Sequence, residues 1–72
     1  MTTRERCQGI INLIQGKETE IVEILPYGSL GQRQVRYREG NSIRSMVFPI
    51  RFGATSEDFR NRYKGIEKFL EV

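Results

Sequence analysis

Histidine and tryptophan are absent from this sequence, and there is a single cysteine. Without histidine the usual general base near neutral pH is missing, and with it the Ser-His and Cys-His dyads of nucleophilic catalysis. Metal cages built on imidazole or several thiolates are missing too. Cys7 has no second cysteine to pair with in the chain, which excludes a disulfide framework. No apolar run approaches the ~20 residues that span a bilayer. The charged start Met1-Thr2-Thr3-Arg4-Glu5-Arg6 leads into a short apolar stretch interrupted by Asn12, so no secretory signal is expected. A lone cysteine fits a reducing, cytoplasmic setting. Gly28-Ser29-Leu30-Gly31 lacks the lysine and the strand-to-helix context of a phosphate-cradling loop. These absences give an expectation of no catalytic residues, no cofactor, no metal, no membrane and no small-molecule substrate.

What is present is a chain of 72 residues, 38% hydrophobic and 29% charged, with a formal net charge of +3. That length predicts one small domain over 1–72. A domain of this size buries only about 60% of the surface its unfolded chain exposes. No staple supplements its core, so association with another chain is a natural source of further stability. The charge is unevenly spread. Residues 1–32 carry a net −1 and residues 55–72 a net zero. Residues 33–54 carry +4, from Arg33, Arg36, Arg38, Arg44 and Arg51 against Glu39. Arginine presents a planar fork of donors suited to phosphate and carboxylate.

Thr2 and Thr3 can cap a helix whose early Glu5 suits the helix dipole. Cys7, Ile10, Ile11 and Ile14 then recur on one helical face, and Gly16 is placed to stop it. A strand over 9–15, paired with 19–25 through Gly16-Lys17, is the rival reading; the helix is preferred. Residues 19–25 are rich in β-branched side chains and read as a strand ended by Pro26-Tyr27-Gly28. Its Val22 and Ile24 would share one face, with Ile21 and Leu25 on the other. Residues 33–39 and 42–48 read as a hairpin closed by a type II′ turn at Gly40-Asn41. That register sets Glu39 opposite Ser42, Tyr37 opposite Arg44 and Val35 opposite Met46. One face then carries Val35, Tyr37, Met46 and Phe48, continuing to Ile50 and Phe52. The other carries Arg36, Arg38, Ile43, Ser45 and Val47, continuing to Arg51. Pro49 belongs at an edge or strand end. A final helix is expected from a capping box at Thr55 and Asp58, with a stripe of Phe59, Tyr63, Ile66 and Leu70. Gly65 lies in its middle.

The expected fold is therefore α+β: a two-layer domain of α-β-β-β-α order. It has a three-stranded antiparallel meander with both helices packed on one face. The order is similar to that of double-stranded RNA-binding domains. That family has a basic cluster at the start of its last helix, where this chain reads Thr55-Ser56-Glu57-Asp58.

The candidate working surface is the uncovered sheet face. Arg36, Arg38 and Arg51 would share it, Arg33 and Arg44 would lie at its margin, and Ile43 and Val47 would give it an apolar centre. The expected function is a non-enzymatic interaction or regulatory protein that binds an acidic protein partner or forms a homodimer. The alternative is nucleic-acid binding, in which the five arginines contact the phosphate backbone. Three further features have simpler readings. Glu18, Glu20 and Glu23 suit a solvated strand end, and Glu57-Asp58 suits the first turn of a helix. Cys7, which could serve a small enzyme as nucleophile, suits a core position.

Overall fold

In the computed structural model, which describes residues 1–71, helix α1 spans Thr3–Gln15 and three strands follow. They are β1 (Glu20–Tyr27), β2 (Gln32–Glu39) and β3 (Ser42–Pro49), in the sheet order β1-β2-β3. Both pairings are antiparallel. A 3₁₀ turn at Phe52–Ala54, a short helix α2 at Glu57–Arg62 and a second 3₁₀ turn at Ile66–Phe69 complete the chain.

Helix α1 begins at a full capping box. The Thr2 hydroxyl accepts from the Glu5 N–H, and the Glu5 carboxylate accepts from the Thr2 N–H. Hydrogen bonding of the carboxylate to the Thr2 N–H, and secondarily to the Thr2 side chain, lowers the exposed Glu5 carboxyl from its ordinary value. Gly16 ends the helix in the left-handed region, its N–H donating to the Asn12 carbonyl. The rival strand over 9–15 is therefore not formed. Asn12, which breaks the apolar run, has a structural task. Its Oδ1 accepts from the Thr19 N–H, the Thr19 hydroxyl and the Gln8 amide, tying the helix to the start of β1.

The hairpin register is the expected one, from Glu39↔Ser42 through Tyr37↔Arg44 and Val35↔Met46. Gly40 takes φ 61 while Asn41 stays at negative φ, as a type II′ turn requires. Pro49 is the last residue of an edge strand. The core gathers Cys7, Ile10 and Ile11 from α1 with Ile21, Val35, Tyr37 and Phe48 from the sheet. Ile50, Ile66 and Leu70 close it. Phe52, expected to continue this face, instead lies in a 3₁₀ turn at the surface, under the Arg60 guanidinium.

Strand β1 differs from the sequence expectation. It runs through Pro26 to Tyr27, and its pairing with β2 shifts between Ile21 and Glu23 and again between Ile24 and Tyr27. Each irregularity inserts a residue and reverses the alternation of faces. Ile21 therefore opposes Tyr37 and Ile24 opposes Val35, both on the core side, and Val22 is left exposed. Pro26 is tolerated because it sits in such an irregularity on an edge strand.

The last segment also departs from a single helix. Ser56, not Thr55, caps α2, its hydroxyl accepting from the Phe59 N–H. Thr55 is buried and its hydroxyl donates to the Arg51 carbonyl. The helix stops at Tyr63, and Gly65 at φ 89 opens a 3₁₀ turn instead of continuing the spiral. The expected stripe still contributes. Ile66 and Leu70 reach the core, and Phe59 meets Tyr63 edge to face at 5.2 Å. Helix α2 itself buries no residue, so α1 is the main helical contributor to the core.

Gly65 gives a direct discrimination. In a continuous helix, Gly65→Ala would stabilise the protein by about 1 kcal/mol. At positive φ the new side chain strains the backbone, so the expected outcome is a loss of about 1 kcal/mol, read from urea denaturation.

Candidate interaction surface

The registers of β1, β2 and β3 define the open face row by row. One row is Glu20, Arg38 and Ile43; the next is Glu23, Arg36 and Ser45; the third pairs Gln34 with Val47. Charge on this face is matched across strands. Arg36 meets Glu23 at 3.5 Å, and Arg38 meets Glu20 at 3.2 Å. Both pairs are well exposed, so each contributes only about 0–1 kcal/mol. Beside them, Ile43 and Val47 stand in solvent at 48% and 61% exposure. Edge residue Val22 is also exposed, outside these register rows.

The five arginines of residues 33–54 do not form one surface. Arg36 and Arg38 lie on the open face as expected. Arg44 opposes Tyr37 on the other side, and its guanidinium is held by Glu39 at 2.9 Å. Arg33 opposes Phe48 on the core side. Arg51 lies beyond β3, where it bridges to Glu71 in parallel. The placement of Arg51 on the open face is thus corrected: β3 ends at Pro49 and the chain turns away before it.

Arg33 and Arg51 converge instead on Tyr27. Their guanidinium carbons lie 4.0 and 4.9 Å from its ring centroid. The Tyr27 hydroxyl donates to the Glu71 carboxylate. Nε and Nη1 of Arg33 are buried with no hydrogen-bond acceptor among the described residues. The negative face of the Tyr27 ring therefore takes up part of that charge. Tyr27, expected beyond the end of the strand in Pro26-Tyr27-Gly28, is half-buried as the last residue of β1. The sequence gives little sign of this cluster, because its members come from four separate stretches and meet only through the tertiary fold.

Cys7 lies beneath the cluster, fully buried. Burial pushes its thiol above the ordinary value of 9.0, and the nearby Arg33 only partly opposes this. The environment is the reverse of an activated nucleophile's, where the thiol is lowered and accessible. Four of the clustered acidic residues have structural places. Glu20 and Glu23 pair with arginines, while Glu57 and Asp58 occupy the first turn of α2. Among the described residues no three His, Cys, Asp or Glu side chains gather to hold a metal ion, and no helix is long and apolar enough to cross a membrane. Protein-family models, curated proteins and solved structures contain no match to this chain.

The state of Cys7 has two measurable consequences. At neutral pH a thiol reagent should label it only as fast as the protein opens, and labelling should become rapid in denaturant. The folded chain keeps the thiol proton where the unfolded chain loses it. This contribution to stability is therefore complete below the ordinary thiol value of 9.0 and is lost as pH rises through the higher folded value. Denaturation across alkaline pH should show a decline that Cys7→Ala makes shallower.

Proposed function

We propose that this chain is a non-enzymatic interaction protein of the cytoplasm, working through the open face of its sheet. Its partner is a protein surface with an apolar centre to cover Ile43 and Val47 and carboxylates at its margin for Arg36 and Arg38. The observation behind this reading is the makeup of that face: exposed β-branched side chains beside arginines whose present acidic partners are weakly held. A partner carboxylate can replace Glu20 or Glu23 at little cost, since exposed ion pairs are worth about 0–1 kcal/mol. Apolar contact then supplies affinity, and the arginines supply orientation and selectivity. A lone buried thiol is consistent with a reducing compartment.

Nucleic-acid binding is the less favoured reading. Of the five arginines, Arg44 lies on the other side of the sheet and Arg33 and Arg51 gather at Tyr27. Only Arg36 and Arg38 are left on the open face to meet a phosphate backbone. The open face also has no aromatic platform for stacking bases.

Two measurements separate these readings. Proteins retained by the immobilised chain should be lost when Arg36→Glu and Arg38→Glu are combined, with the circular dichroism spectrum unchanged. Equal retention would overturn the proposal. Anisotropy titrations with duplex DNA, duplex RNA and single strands at low and high salt should show no specific binding. Tight binding that weakens steeply with salt would establish the nucleic-acid reading instead.

A further inference from the structure

The two edges of the sheet are finished differently. The β1 edge is broken by two register irregularities, contains Pro26 and carries Glu20 and Glu23. These are the usual devices against edge-to-edge pairing. The β3 edge has fewer of them. It pairs with β2 without interruption from Ser42 to Pro49, and its proline is the last residue. Its one charged side chain, Arg44, is already held by Glu39. A long, regular, sparsely charged edge is a template for another strand.

The hairpin register says which groups this edge offers. A two-residue turn makes Glu39 and Ser42 a hydrogen-bonded pair, and such pairs alternate along an antiparallel ladder. Ser42, Arg44, Met46 and Phe48 therefore bond to β2. Ile43, Ser45 and Val47 direct their N–H and C=O groups away from the sheet, where no strand lies.

From this we propose that β3 pairs antiparallel with β3 of a second copy, about a two-fold axis at Ser45, joining two three-stranded sheets into one. The segment is self-complementary in that register. Ser45 faces Ser45 of the second copy, and Ile43 faces Val47. All outward backbone groups of the three residues then find partners. On the open face, the exposed Ile43 and Val47 of each chain form β-branched cross-strand pairs on either side of the small central Ser45. On the other face, Arg44 meets Met46, so no unpaired like charges oppose each other directly. An unrelated extended peptide would gain the same backbone bonds but not this symmetric match of side chains. The pairing concerns the sheet edge and stands whether or not the open face binds a partner.

Sedimentation equilibrium tests it. The wild-type chain should have twice the monomer mass at high concentration and dissociate on dilution. Ser45→Pro removes an outward N–H at an edge position where proline is tolerated. It should halve the solution mass while the far-ultraviolet spectrum is retained. Ser45→Cys should oxidise to a covalent dimer, because facing residues of a hydrogen-bonded pair lie about 5.5 Å apart at Cα, within disulfide reach. Arg36→Cys, one strand back, should not. A wild-type chain that remains monomeric at high concentration overturns the proposal, as does a folded Ser45→Pro variant that remains dimeric. If Ser45→Pro does not fold, Ser45→Cys decides: failure to cross-link overturns the proposal.

Discussion

The turn at Gly40-Asn41 fixes the register of β2 against β3, and the rest of the molecule depends on that register. Gly40 adopts a positive φ that a side chain would strain, and this closes the hairpin with Glu39 opposite Ser42. Each later pair follows from that first one. Val35, Tyr37 and Phe48 are sent to the core, and Arg36, Arg38, Ile43 and Val47 to solvent. A slip of one residue would expose the aromatic core and bury two guanidinium groups, so no neighbouring register competes. The same alternation decides which backbone groups of β3 point outward. One turn therefore defines both the open face and the free edge.

Around this hairpin the arginines are placed by what surrounds them. On the exposed face, Arg36 and Arg38 find carboxylates on β1. On the covered side, Arg33 is drawn partly into the interior and rests on the Tyr27 ring. The N-terminal arginines serve the fold directly. Arg4 donates to the Ile21 carbonyl, and Arg6 donates to the Leu70 carbonyl. Thus α1 is fastened to β1 at one point and to the end of the chain at another. The net charge of +3 is real, but little of it is concentrated on one accessible surface.

Local chemistry was legible in the sequence. The helix cap at Thr2, the stop at Gly16 and the II′ turn at Gly40 each depend on a few adjacent residues, and each stands where the residues place it. The sheet faces of β2 and β3 followed from the turn. The departures come from longer-range causes. The irregularity at Val22 arises because β1 must deliver both Ile21 and Ile24 to one core, which strict alternation forbids. Gly65 reads from sequence as a residue in the middle of a helix, and only the path back to Ile66 and Leu70 selects the left-handed bend. Arg51 was misplaced because the face was extended in register past Pro49, where the strand has already ended. The Tyr27 cluster joins residues 27, 33, 51 and 71, a set with no local pattern.

The hairpin register can be measured directly in solution by nuclear Overhauser contacts between α-protons, which are close only across non-hydrogen-bonded antiparallel pairs. The account predicts these contacts for Arg38 with Ile43, Arg36 with Ser45 and Gln34 with Val47. Contacts displaced by one residue along β3 would contradict it, because the open face and the outward groups of the edge would then belong to different residues.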